Sequence, residues 1–184
     1  CYGGMEYPGL TMISDELDSD ANNYTIVHEN AHQWWYAMVG SDQLNCAWQD
    51  EGLAEYSSVM FFESHPDYKF TRAGLVGTAT KSYRAYYSVY NQIFGEVNTS
   101  MTRNLKDFES DYEYANIAYN KGMIMFDTLR QSIGDDKFVS GLKKYFAANR
   151  DKIASQDDLF GCFISGGVDL EGFFQSFVDG KIVI

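Results

Sequence analysis

The sequence has little positive charge and little proline. Its 184 residues include 14 Lys or Arg against 26 Asp or Glu, which gives a formal net charge of −12 at pH 7. Nucleic-acid binders gather positive charge to neutralise phosphates, so this balance excludes nucleic acid from the expected partners. With only two prolines and no low-complexity run, the chain is typical of a folded globular domain rather than of a linker.

Cysteines and long apolar runs are also scarce. Cys1, Cys46 and Cys162 are widely separated, which excludes both a disulfide framework and a zinc site built from paired thiolates. No apolar stretch is long enough to span a membrane, and no signal peptide opens the chain. Because the chain begins inside an apparent strand, we expect 1–184 to be one fragment of a longer protein. The cytoplasm is slightly favoured as its location, while secretion or a cell-surface location stays open.

Helical patterning begins soon after the first residues. Residues 1–14 contain a Gly-Gly pair, a proline and an apolar run, which together predict a turn followed by a short strand. Apolar residues at helical spacing then predict a helix over 24–39. Asn22 or Asn23 would cap this helix, and Gly40 would end it.

Further helices are predicted along the rest of the chain. Their ranges are Trp48–Ser64, 67–94, 113–133, 136–149, 156–165 and 169–179. The sequence therefore predicts a mainly α-helical lobe over 22–184 with a short β remnant at 1–14. The Trp34–Trp35 pair and the aromatic run 83–90 are expected to pack in the core.

Two of the three histidines stand four residues apart in the segment HENAH. On a helix, His28 and His32 then lie one turn apart on the same face, where both imidazoles can reach a single cation. Glu29 is rotated by about 100° from His28, so it can act as a base beside the metal without binding it. The third histidine, His65, precedes a proline at a helix end and is expected on the surface.

A third candidate ligand follows on the next predicted helix. Glu51 lies in the segment AWQDEGLAEY, and antiparallel packing of the two helices would return it to the histidine pair. Two histidines and one glutamate, with water in the fourth place, form the zinc shell of hydrolytic enzymes. An ordinary surface carboxylate is the alternative for Glu51. Asp50 and Glu55 flank it, and either could orient a ligand imidazole from behind.

Four motifs in this order resemble the zinc aminopeptidases of the alanyl aminopeptidase type. These enzymes are gluzincins with a thermolysin-like catalytic domain. The motifs are GGMEYPG at 3–9, HENAHQWW at 28–35, DEGLAEY at 50–56 and AYNKG at 118–122. The resemblance implies a thermolysin-like helical lobe with the metal at its boundary against a small sheet.

The resemblance also implies a role for each matching residue. His28, His32 and Glu51 would bind one zinc ion, and Glu29 would be the general base. Tyr119 would stabilise the oxyanion of the tetrahedral intermediate. The function implied is a zinc-dependent aminopeptidase that hydrolyses N-terminal residues from peptides by metal-activated water.

The first motif implies the substrate contacts. Glu6 would hold the free α-amino group of the peptide, while the backbone of Gly3, Gly4 and Met5 would pair with it. Expected partners are peptides with a free N-terminus, together with the missing N- and C-terminal domains of the full-length protein. The motif departs from the family pattern at Tyr7, where Asn is usual.

Other interpretations remain open from the residues alone. Asn30 stands where the family usually has an apolar residue. Tyr119 is one of 14 tyrosines and could be a core residue, and Glu6 could be a turn carboxylate. The alternative functions are a thermolysin-like zinc endopeptidase, which Glu6 argues against, and a truncated fragment that binds peptide or metal without turnover.

Overall fold

The computed structural model describes residues 3–95, 97–163 and 167–180, and it is mainly α-helical with only short strands. The longer helices are α1 (Ser19–Ala31), α2 (Trp48–Ser64), α3 (Arg72–Phe94), α5 (Lys121–Ile133) and α6 (Asp135–Asn149). The shorter helices are α4 (Asp111–Tyr114), α7 (Gln156–Phe160) and α8 (Leu170–Val178), with a 3₁₀ turn at Leu105–Asp107 and a π-helical segment at Ala115–Asn120. The predicted mainly α fold class is confirmed.

Four two-residue strands form two small sheets. Strands β1 (Gly4–Met5) and β2 (Met12–Ile13) pair antiparallel, with Gly4 opposite Ile13. This ribbon confirms the predicted β remnant and lies against α1. Strands β3 (Val39–Gly40) and β4 (Lys152–Ile153) pair in parallel, a pairing that no pattern in the sequence predicted.

The first predicted helix is wrong at both ends. Helix α1 begins at Ser19 because the Asp18 side chain accepts a hydrogen bond from the Ala21 N–H and so caps it, in place of Asn22 or Asn23. It ends at Ala31, since the following residues turn to bring β3 beside β4. That turn leaves Trp34 46% exposed, so its predicted core position is also wrong.

The remaining helices mostly match their predicted ranges. Helix α2 has the predicted bounds, whereas the helix predicted over 113–133 is divided by the π-helical segment into α4 and α5. Helix α3 begins only at Arg72, after a Thr71 cap, and α7 ends at Phe160. Residues 164 and 165 of that predicted helix lie outside the described residues. His65 is exposed, as predicted. No helix of the described chain is long and apolar enough to cross a membrane.

Helix α2 forms the centre of the fold, with α1, α3 and α5 packed around it. Its buried side chains join those of α5 in one apolar core. The buried members from these two helices include Trp48, Leu53, Tyr56, Val59, Phe62, Ile124, Phe126 and Leu129. Since both the HENAH segment and Glu51 belong to helices of this packed centre, the core fixes the distance between them.

A polar network around the buried side chains of Asp127 and Arg130 ties the far ends of these helices together. Asp127 of α5 accepts hydrogen bonds from Arg72 at 2.7 Å and from Tyr56 at 2.9 Å. Arg130, one turn later, donates hydrogen bonds to Glu63 at 2.6 Å and to Asp135 at 2.9 Å. The network joins α2, which carries Glu51, to α3, α5 and α6.

Candidate metal centre

Three buried side chains converge between α1 and α2. The Nε2 atoms of His28 and His32 lie 3.1 Å apart, across one turn at the end of α1. Glu51, in the first turn of α2, places its Oε2 atom 3.3 Å from Nε2 of His28 and 3.2 Å from Nε2 of His32. The structure therefore brings the three predicted ligands together at one point.

The donor atoms of this cluster fit a zinc ion. Ligand atoms bound tetrahedrally at about 2.0–2.1 Å stand roughly 3.3 Å apart, close to the three separations observed. Glu51 Oε2 is buried and has no hydrogen-bond partner among the described residues, although two imidazole nitrogens lie beside it. Three buried donor atoms that converge on one point favour a cation between them. His28, His32 and Glu51 also form the one group of potential metal ligands found among the described residues.

Each imidazole is oriented from behind through its Nδ1 atom. His32 Nδ1 lies 3.1 Å from the backbone carbonyl of Trp35, and His28 Nδ1 lies 3.2 Å from Oε1 of Glu55. Both contacts leave Nε2 directed at the shared point.

Of the two flanking carboxylates considered from the sequence, Glu55 contacts a ligand imidazole. Asp50 instead accepts hydrogen bonds from the Gln43 side chain and from the Glu51 N–H.

The charges of the cluster stabilise one another. Burial by itself lowers the pKa of His28, but the carboxylates of Glu51 and Glu55 outweigh it and raise that pKa well above its ordinary value. Burial would raise the pKa of Glu51, yet the neighbouring imidazoles of His28 and His32 lower it. Burial and the Glu51 charge raise the pKa of Asp50. Glu51 is thus the ionised carboxylate of the pair, as a metal ligand must be.

Glu29 lies beside the cluster without belonging to it. Its carboxylate is buried, and its Oε2 atom has no hydrogen-bond partner in the described chain. Burial raises its pKa, partly offset by His28 and His32. The carboxylate packs against the backbone of β1, where a Cβ built on Gly4 would lie 2.7 Å from Glu29 Cδ. A carboxylate with a raised pKa and a free oxygen is suited to accept and return a proton.

Tyr119 reaches the cluster from the π-helical segment. Its ring stacks on His28 with the centroids 5.9 Å apart, and its hydroxyl lies close enough to Glu51 for that carboxylate to raise its pKa. Burial, reinforced by the charge of Glu51, raises the pKa of Tyr119 well above its ordinary value, so the hydroxyl keeps its proton. A π-helical turn widens a helix locally, and such turns are frequent at functional sites.

One cavity of about 590 Å³ joins all of these groups. It is lined by every residue selected from the sequence, namely Gly3, Gly4, Met5, Glu6, His28, Glu29, His32, Glu51 and Tyr119. Glu6 stands at its β1 side, close enough that its charge contributes to the raised pKa of Glu29. The cavity therefore holds the Glu6 carboxylate beside the candidate metal ligands, where it can pair with a cationic group.

A match to a model of a known protein family identifies the family of this chain. A family model described as the Peptidase family M1 domain matches residues 1–177. The chain belongs to peptidase family M1. This confirms the family resemblance stated from the four motifs.

Curated M1 relatives are considerably longer than this chain. Leucine aminopeptidase 2-1 of Meyerozyma guilliermondii is 29% identical over 189 residues, which cover 97% of the chain and 28% of the relative. Endoplasmic reticulum aminopeptidase 2 of Homo sapiens is 24% identical, with 91% of the chain and 18% of the relative covered. The chain thus spans only 28% and 18% of the length of these two relatives.

A solved M1 structure shares the fold. The M1 zinc metallopeptidase of Deinococcus radiodurans, crystallised with a Tyr-Ser-Ala substrate, superposes with a TM-score of 0.75 at 21% identity. The match covers 100% of this chain and 38% of that one. The helical lobe described above is therefore an M1 fold.

Two aromatic residues of this M1 site were not predicted from the sequence. Tyr114 lines the cavity and meets Tyr119 edge to face, with the ring centroids 5.4 Å apart. Tyr24 also lines it and donates a hydrogen bond to Glu55. Among 14 tyrosines, neither carries a local pattern that marks it. Only the position of Tyr24, one helical turn before His28, indicated that its side chain could lie near the site.

Proposed function

We propose that this chain carries the catalytic centre of a zinc aminopeptidase, with one zinc ion held by His28, His32 and Glu51. The observation that carries the proposal is the meeting of these three buried donor atoms, each within 3.3 Å of the other two. M1 membership and the zinc metallopeptidase named among the structural relatives support the choice of metal.

The residues around the ligands supply the rest of the hydrolytic machinery. Zinc, when bound, contributes Lewis acidity that activates water and polarises the scissile carbonyl. Glu29 accepts the proton that the attacking water loses and later delivers it to the departing amine. The Tyr119 hydroxyl, which keeps its proton, donates a hydrogen bond to the oxyanion that forms at the carbonyl carbon.

Glu6 makes this centre an exopeptidase site. Its carboxylate lies in the same cavity as the ligands and can pair with the cationic amino group of a peptide N-terminus. A residue inside a peptide chain has no such charge and would leave the half-buried Glu6 carboxylate unpaired. The two curated relatives described above are named aminopeptidases, which supports this substrate class over internal peptide bonds.

The first test measures zinc and hydrolysis on the same samples of the purified chain. Wild type is compared with His32→Ala and Glu29→Gln. Each is given a free-amine aminoacyl anilide and its N-acetylated twin. We expect about one zinc per wild-type chain, a loss of zinc in His32→Ala, and retained zinc with at least a hundredfold lower hydrolysis in Glu29→Gln. Only the free-amine substrate should be cleaved.

The other outcomes separate the remaining functions. Cleavage of the acetylated substrate would indicate an endopeptidase. Stoichiometric zinc without hydrolysis of either substrate would indicate a metal-binding fragment without turnover, which needs residues beyond this chain. A folded chain without zinc at neutral pH would refute the proposed centre.

A further inference from the structure

A hydrogen-bonded pair of side chains lies behind His28, on the side opposite Glu51. Tyr24 precedes His28 by one turn of α1, and Glu55 follows Glu51 by one turn of α2. Glu55 Oε1 lies 3.2 Å from His28 Nδ1, and the Tyr24 hydroxyl donates a hydrogen bond to Glu55 Oε2. One oxygen of this buried carboxylate thus accepts the phenol's hydrogen bond, and the other lies at ion-pair distance from the imidazole.

The two histidines of the cluster are held in different ways. His32 Nδ1 faces the neutral carbonyl of Trp35, whereas His28 Nδ1 faces the carboxylate of Glu55. A carboxylate behind an imidazole fixes which nitrogen carries the proton and makes the other a stronger electron donor. Of the two imidazoles, His28 thus receives the stronger support as a ligand.

Tyr24 is itself fixed in place by aromatic packing. Its ring stacks on Phe62 with the centroids 5.8 Å apart and meets the edge of Phe70 at 5.7 Å. The ring therefore has little freedom to turn, so its hydroxyl remains aimed at Glu55. An isolated buried carboxylate is costly, and these two contacts give it partners on both oxygens.

We propose that Glu55, held by Tyr24, is a positioning residue that orients His28 and strengthens its bond to the metal. The inference rests on the zinc centre proposed above, and it concerns residues that do not themselves reach the metal. It predicts that metal affinity depends on the Tyr24–Glu55–His28 chain, independently of catalysis.

The test is zinc affinity, measured by competition with a chromogenic chelator on Glu55→Ala, Glu55→Gln and Tyr24→Phe. We expect about 10–100-fold weaker binding in Glu55→Ala, which is the usual effect of removing such a support. Glu55→Gln keeps the shape and an acceptor oxygen but loses the charge, so its affinity should be intermediate. Tyr24→Phe should weaken binding about 2–10-fold, because it removes one hydrogen bond.

A double variant tests whether Tyr24 acts through Glu55. In the Glu55→Ala background, Tyr24→Phe should cause no further loss of zinc affinity. The visible spectrum of the cobalt-substituted protein should also shift in Glu55→Gln, because the donor strength of His28 changes. A general loosening of the fold would leave the spectrum of the bound metal unchanged.

Glu63→Ala is the matched control. Glu63 belongs to the same helix, two turns beyond Glu55, and contacts Arg130 at 2.6 Å instead of a histidine. Its removal should lower thermal stability while leaving the zinc dissociation constant unchanged.

If wild type binds zinc and Glu55→Ala binds it equally well, the positioning role is refuted and the zinc centre stands. If Glu55→Ala does not fold, unchanged affinity in Tyr24→Phe refutes it. If wild type binds no zinc, both proposals fail.

Discussion

The backbones of Gly52 and Gly122 pass so closely that a Cβ built on Gly122 would lie 2.8 Å from the Cα of Gly52. Gly52 follows the candidate ligand Glu51, and Gly122 stands three residues after Tyr119. The contact is backbone against backbone, so no side chain can give way. This crossing holds the start of α2, which carries Glu51, against the start of α5, which follows Tyr119.

Gly122→Ala is expected to force the two helices apart. Overpacking of this kind costs about 1–3 kcal/mol of folding free energy, and it would also separate Tyr119 from Glu51. Urea denaturation would measure the first effect and anilide hydrolysis the second. Gly77→Ala in α3 is the control, since a Cβ there meets nothing within 4 Å. It should stabilise the chain by about 0.5–1 kcal/mol. Equal stability of the two variants would contradict the close crossing.

Tyr119→Phe is expected to slow hydrolysis without releasing zinc. Removing one hydrogen-bond donor to an oxyanion lowers kcat about 10²–10³-fold, and the phenyl ring preserves the stacking on His28. Metal content and kcat would be measured together. Tyr56→Phe also removes a buried, hydrogen-bonded hydroxyl, but its partner is Asp127, outside the cavity. It should cost stability and leave kcat unchanged. A Tyr119→Phe variant with wild-type kcat would remove Tyr119 from the mechanism.

Glu6→Gln is expected to weaken selection for a free amino terminus. A hydrogen bond to a charged group contributes about 1.5–3 kcal/mol, so kcat/KM for the free-amine anilide should fall roughly 10–150-fold. Zinc content should not change, because Glu6 is not among the ligands. The exposed Glu16→Gln carries the same loss of charge away from the cavity and should behave as wild type. Unaltered kcat/KM in Glu6→Gln would show that the amino group is held elsewhere.

Lys121 is expected to make stability depend on pH. Its side chain is fully buried and donates a hydrogen bond to the Thr99 carbonyl at 2.6 Å. Burial, aided by the positive charge of Arg103, lowers its pKa from the ordinary 10.5 to about 7. Between these values the unfolded chain binds more protons than the folded chain, so the free energy of unfolding rises with pH. Below about pH 7 the lysine is charged in both states and the full burial penalty applies.

Lys121→Met removes this titration and supplies the comparison. The difference in unfolding free energy, wild type minus variant, should increase from pH 7 to pH 10 with a slope of up to about 1.4 kcal/mol per pH unit. Urea titrations at four pH values would measure it, and the other titrating groups cancel in the difference. A difference that stays constant over this range would mean that Lys121 keeps its charge in the folded protein.

Local sequence determined much of this protein. A spacing of four residues on a helix places His28 and His32 on one face whatever surrounds them, because the helix repeat is 3.6 residues. The bounds of α2 followed from apolar periodicity and a proline after its end. Family motifs selected Glu6 and Tyr119, which share a cavity with the histidines as the motifs implied.

Tertiary structure decided what depended on distant partners. The parallel pairing of β3 with β4 joins residues more than a hundred positions apart. The early end of α1 follows from this pairing. The choice of Glu55 over Asp50 behind His28 depends on how α2 is rotated against α1, which packing sets. The π-helical turn before α5 likewise has no local signature that we identified. Periodicity and caps fix where a helix forms, whereas the contacts between helices fix which of its side chains meet.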